Sequence, residues 1–254
     1  MTGTTTWREL ISQPETWAGL IARLDSGALA LPVSVADFDE FLLLGSGTSY
    51  YLALTVADWM RRRGINARAV PSCEVLLDPH ESRPSALRRL AIGFSRSGNS
   101  TELLLANRIL SGAGFTTLGI SCTASGDLLA EVDHGLLIAD GHEDGLVMLR
   151  SFTAMLIAAQ WLFGGAEDRV ILARLPDIGR TMLGHEVQYG SWRTRPLLTG
   201  SFSLAPGRLI RWHWNRRSRF RKWRLPHPRP ITPWTIAMGL RPASQSLQSW
   251  SCSP

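Results

Sequence analysis

FLLLGSGTSY, residues 41–50, is the stretch that decides the fold. Its four apolar residues are too few for a helix. They also lack the alternation of a half-solvated strand, so they read as a strand buried on both faces. Small residues follow, and the chain then takes up a helical pattern from about Tyr50 to Arg63, stopped by Gly64. Strand, small-residue turn and helix form the first half of a βαβ unit.

The same grammar continues downstream. ARAVP (67–71), LAIGF (90–94), TTLGIS (116–121) and HGLLIA (134–139) predict further strands. Helices are predicted over about 100–110, closed by Gly112 and Gly114, then as a short piece after Ser125, and over about 146–163. Upstream, Trp7, Leu10 and Ile11, then Trp17, Leu20, Ile21 and Leu24, recur at helical spacing on either side of Pro14, which predicts two short helices. The expected fold is α/β, a doubly wound parallel sheet flanked by helices, with ligands at the carboxyl ends of the strands.

Two turns occupy that position, GSGTSY (45–50) and SRSGNSTE (95–102), and both run into helices. A helix N-terminus offers free backbone N–H groups and the positive end of the helix dipole, and hydroxyls add donors, so each turn suits a phosphate. Helix capping is the plainer use, with Asn99 as N-cap and Glu102 three residues on. Capping needs only one such residue, and the surplus of hydroxyls favours a ligand. A P-loop is excluded because no Gly-Lys-Ser/Thr follows, and Tyr50 stands where a dinucleotide fingerprint places its third glycine.

LLLGSGTSYYLA, IGFSRSGNSTE and RSFTAMLIA, in this order and spacing, resemble the sugar isomerase (SIS) domain. The likeness is to the group of ketose/aldose isomerases and deaminases acting on tagatose- or galactosamine-phosphates. TWRELISQPETW is similar to that group's N-terminal segment, so the resemblance runs from about Thr5 to Gly190. It implies that Thr48 and Ser49 of the first turn and Ser95, Arg96, Ser97 and Ser100 of the second bind a sugar phosphate. Glu74, just after the second strand, is a possible sugar contact. The group carries a hydroxyl directly before Arg150, whereas this chain has Leu149, so Met148 to Arg150 are not predicted to touch sugar. His80, His134 and His142 read as solvated histidines near turns.

Composition breaks sharply near Gly190. Residues 1–190 hold fifteen arginines against twenty-one acids, a net of −6, while residues 191–254 hold eleven arginines, one lysine and no acid, a net of +12. Within the second segment, RWHWNRRSRFRKWR (211–224) has the charge and aromatic content of a nucleic-acid arm. Proteins of the resembled group instead carry there a second half-unit, with a glutamate base and a ring-opening histidine. Joining the third base of each codon to the first two of the next tests for a shifted frame. Trp212-His213 is then forced to read alanine, Trp214-Asn215 glutamate, Trp234-Thr235 aspartate and Met238-Gly239 glycine. The free positions permit ESALKVQEM and EAYHTMDYRHGPK, which resemble that second half, so the tail is expected to be a frameshift product and nucleic-acid binding is not.

The expected organisation is an N-terminal helical segment (1–35), a SIS domain (36–165), a linker helix (166–190) and a mostly irregular basic tail (191–254). No catalytic residue is assigned within the chain. Cys73, Cys122 and Cys252 are too few and too dispersed for a zinc site, and no metal or cofactor is expected. A cytoplasmic location is expected from the lack of a signal-peptide pattern or membrane-length apolar run. The expected partner is a phosphorylated sugar or amino sugar, and the intact parent is expected to be a homo-oligomer. The alternative role is a phosphosugar sensor without catalysis.

Overall fold

The computed structural model describes residues 2–78, 83 and 85–184, together with three strands beyond residue 198. Two compact units result, residues 1–190 and 191–254.

The first unit opens with α1 (Thr2–Ile11) and α2 (Gln13–Asp25). Pro14 sits in the first turn of α2, where its missing N–H costs no hydrogen bond. Then come β1 (Glu40–Gly45), α3 (Thr48–Arg61), β2 (Ala67–Pro71), α4 (Ser72–Leu77) and β3 (Arg89–Ser95). The unit continues through α5 (Thr101–Gly112), β4 (Thr116–Ser121), α6 (Leu128–Glu131) and β5 (His134–Leu137). It ends with α7 (Arg150–Phe163), α8 (Ala166–Leu172) and α9 (Leu175–Gly184). The strands form one parallel sheet in the order β2-β1-β3-β4-β5.

Side chains alternate across this sheet, and helices cover both faces. Phe41, Leu43, Leu90, Ile92 and Phe94 pack with α2, α3 and α7 on one side. Leu42, Leu44 and Ala91 pack with α4, α5 and α6 on the other. Continuous apolar runs are what two buried faces demand. The N-terminal helices are tied down as well: the Trp17 indole donates to the Thr153 hydroxyl at 2.9 Å, and Arg180 of α9 donates to both carboxylate oxygens of Glu15 at 2.8 and 2.9 Å.

Two differences from the sequence reading have local causes. The last long helix starts at Arg150 rather than near Leu146, because a buried carboxylate takes the amides at its start, as described below. Residues 166–184 form two helices rather than one, since Arg174-Leu175-Pro176 interrupts the run.

The second unit is described as three antiparallel strands, β6 (Thr199–Ser203), β7 (Leu209–Trp214) and β8 (Phe220–Trp223), ordered β6-β7-β8. These short strands, in a segment expected to be mostly irregular, hold the aromatic residues Phe202, Trp212, Trp214, Phe220 and Trp223, a residue type that favours strands. The rest of that expectation lies outside the described residues.

Candidate phosphosugar site

The strand order sends the chain one way from β1 to β2 and the other way to β3, so the switch point falls between β1 and β3. Ligands of open α/β sheets bind there, outside the carboxyl ends. Leu44 of β1 lies level with Gly93 of β3, which brings the turns following Gly45 and Ser95 side by side.

The second turn is built around Ser95. Its buried hydroxyl accepts from the Gly98 amide at 3.0 Å and lies 3.2 Å from the Ser100 hydroxyl. Gly98 has φ +72°, and a Cβ there would meet Gly126 Cα at 2.8 Å. In return the Gly98 carbonyl accepts from the Leu128 amide at 2.9 Å. The turn is therefore pressed against the loop after β4, and backbone rather than side chain fills the contact.

The capping reading of this turn is corrected. Ser100, not Asn99, is the N-cap of α5, and it makes no side-chain cap bond. The Asn99 side chain instead accepts from the Asp127 amide at 3.0 Å. Hydroxyls at residues 95, 97 and 100 therefore remain around the N-terminus of a twelve-residue helix without closing its own amides. Ser97 is exposed and, among the described residues, accepts only from the Asn99 amide, at 3.3 Å.

Thr48 and Ser49 open α3 beside this turn. Thr48 is exposed, whereas Ser49 is buried and donates to the Met148 sulfur at 3.6 Å. Glu74 lies on α4, which follows the edge strand β2 next to β1. Arg96 takes a place not foreseen. Its Nη1 donates to the carbonyls of Gly145 at 2.7 Å and Leu146 at 3.2 Å, and lies 3.9 Å from Glu143. Its own carbonyl accepts from Cys122 N, Ser121 Oγ and Thr123 Oγ1, which fixes the backbone of the turn.

Residues 143–149 thus act as a strap beside both turns, and two glutamates missed in the sequence hold it. Glu143 accepts from the Leu149 and Arg150 amides at 2.9 and 2.8 Å and from the Ser151 hydroxyl, capping α7 with a carboxylate. Glu9, from α1, accepts from the Asp144 and Gly145 amides at 2.8 Å each. Both are buried, and a buried carboxylate persists only where such bonds replace water.

Neighbouring groups with reactive potential are quiet. Burial, reinforced by the Glu143 charge, pushes the Cys122 thiol up to about 12, so it stays protonated near neutrality and is no nucleophile. His134 stands at the amino end of β5, opposite the cradle, His142 is exposed, and His80 lies outside the described residues. Among the described residues no cluster of histidine, cysteine and carboxylate has the makings of a metal site, and no helix is long and apolar enough to cross a membrane.

A parallel sheet in this order, with hydroxyl turns at its switch point, defines a SIS-type α/β unit. The chain belongs to the SIS domain family, which it matches over residues 36–164. It is 29% identical over 231 residues to the D-galactosamine-6-phosphate deaminase AgaS of Escherichia coli, covering 80% of this chain and 58% of that protein. Among solved structures it resembles glucosamine-6-phosphate deaminase from Thermotoga maritima, with a TM-score of 0.56, 29% identity, and coverage of 68% of this chain and 54% of the other. The tagatose-6-phosphate ketose/aldose isomerase of Escherichia coli shares the fold at a TM-score of 0.57 and 24% identity, over 72% of this chain and 55% of that one. The chain spans a little over half the length of the curated relatives it matches.

Proposed function

We propose that this chain binds a phosphorylated sugar or amino sugar in carbohydrate-derivative metabolism, with the phosphate on the turns at 45–50 and 95–102. The observation that carries the reading is the N-terminus of α5, ringed by Ser95, Ser97 and Ser100 and not closed by its own cap. Its supports are the switch-point location and the relatives named for galactosamine- and glucosamine-6-phosphate deamination. Thr48, Ser49 and the free edge of Arg96 complete the proposed phosphate contacts, and Glu74 is the proposed sugar contact. A charged substrate of this kind suits a cytoplasmic protein.

Aldose–ketose interconversion moves a proton between adjacent carbons through an enediol, which requires a general base tuned toward neutral pH. No such base is assigned in residues 1–190. We infer that residues 191–254 are read from a shifted frame, since the forced codon pairs agree with a family second half and the segment holds no acid. In that case the homo-oligomer and the chemistry belong to the intact parent, and this chain is a binding unit. Galactosamine-6-phosphate or tagatose-6-phosphate is expected to raise its Tm without turnover. Turnover would place catalytic groups in the chain, and no stabilisation by either compound would remove the binding reading. Sequencing the coding DNA across codons 190–200 is expected to reveal a one-base insertion or deletion relative to the restored frame. An intact frame encoding a trypsin-resistant tail would reject the inference.

A further inference from the structure

We propose that Glu9 is a positioning residue of the phosphosugar site, acting from α1 through the 143–149 strap on Arg96; the proposal rests on the phosphosugar reading. Three contacts form the path. Glu9 Oε1 accepts both strap amides, Asp144 and Gly145, at 2.8 Å. The next carbonyls along, those of Gly145 and Leu146, accept from Arg96 Nη1. Arg96 in turn belongs to the turn whose hydroxyls surround the helix N-terminus, and its backbone is pinned by Ser121, Cys122 and Thr123.

The packing at Gly145 shows how closely the carboxylate is fitted to the strap. A Cβ on Gly145 would fall on Glu9 Oε2, so any larger residue there has to push the carboxylate aside. Glu9 Oε2 has no hydrogen-bond partner among the described residues, which leaves Oε1 as the atom that matters.

The gain lies in preorganisation. An arginine side chain free to rotate loses considerable conformational entropy when a ligand fixes it. With Nη1 held by the strap, that loss is met on folding. No partner among the described residues takes Arg96 Nε or Nη2, the pair whose parallel N–H groups match two phosphate oxygens. Glu9 touches no part of the cradle itself, so its effect on the ligand is indirect.

Titration calorimetry with galactosamine-6-phosphate on the full chain tests this. Glu9→Ala is expected to weaken binding about tenfold, the worth of roughly one net hydrogen bond in ordering Arg96. Glu9→Gln keeps the one oxygen that accepts both amides and is expected to bind within about twofold of the parent. Arg96→Ala weakens binding outright, and Glu9→Ala added to it should weaken binding no further, because coupled residues are not additive. Full affinity in Glu9→Ala, or additive losses in the double variant, would overturn the proposal. Hydrogen exchange of the Arg96 guanidinium, followed by NMR, supplies a readout independent of ligand: its Nη protons, held by the strap carbonyls, should exchange faster in Glu9→Ala but not in Glu9→Gln, and equal rates in all three proteins would also overturn it. Gly145→Ala, which displaces the carboxylate from the other side, is the second variant: should Glu9→Ala fail to fold, the same loss of affinity and the same faster exchange are expected of it, and parent-like values would overturn the proposal. Absence of any binding by the parent protein would reject the phosphosugar reading instead, and the exchange rates would still decide the role of Glu9.

Discussion

Replacing Ser97 and Ser100 together by alanine is expected to weaken phosphosugar binding by about 2–4 kcal/mol while leaving the fold intact. Each hydroxyl would donate one charge-assisted bond to phosphate, worth roughly 1.5–3 kcal/mol, and neighbouring losses do not add fully. Neither residue carries the fold. Ser97 is exposed with a single 3.3 Å contact, and Ser100 closes no amide of α5. Stability should therefore shift by only about 0.5 kcal/mol at exposed Ser97, and by about 0.5–1.5 kcal/mol at half-buried Ser100, which loses its contact with the Ser95 hydroxyl. Calorimetry and urea denaturation on the same samples separate the two quantities. An unchanged Kd in the folded double variant would move the phosphate elsewhere.

Gly98→Ala should act in the opposite way, damaging the fold and the site together. At φ +72° an alanine costs about 1–2 kcal/mol, because its Cβ crowds the adjoining carbonyl. That Cβ would also lie 2.8 Å from Gly126 Cα, and backbone cannot swing aside as a side-chain tip can. Overpacking of this kind adds about 1–3 kcal/mol. A loss of about 2–5 kcal/mol in urea denaturation is expected, with phosphosugar binding lost as the turn is displaced. Gly112→Ala is the control. This helical glycine has open space around it and should gain up to about 1 kcal/mol. A Gly98→Ala protein as stable as the parent would mean that the turn relaxes freely and is not pressed into shape.

The sheet was legible because its strands are short apolar runs bounded by turn residues: the predicted span 116–121 coincides with β4. Other parts were hidden for physical reasons. SCEVLL, which forms α4, is six residues long and too short for helical periodicity to stand out from an apolar run. Leu146, Val147 and Met148 continue the apolar pattern of α7, but Glu143 takes the amides of Leu149 and Arg150, so the helix begins only at Arg150. Hydroxyl positions at the site could be named from their turns, because a strand end and a helix start fix where they stand. What each side chain would do could not, and Arg96 turned toward carbonyls nearly fifty residues away in sequence. Glu9 left even less trace. A single glutamate on an amphipathic helix reads as a solvent-facing residue, and its partners lie 135 and 136 residues further on.

The tethering of α1 and α2 to the far end of the unit also orders events in time. Trp17 meets Thr153 across 136 residues, and Glu9 meets Gly145 across the same separation. At roughly 5–20 residues per second, a ribosome needs on the order of 7–30 s to deliver those partners after the N-terminal helices have emerged. During that interval the inner face of α2, with Leu20 and Leu24, has no α7 to cover it and is open to chaperones. α1 and α2, translated before every strand of the unit, are thus among its last elements to dock, and the strap beside the two hydroxyl turns receives its anchor only when they do.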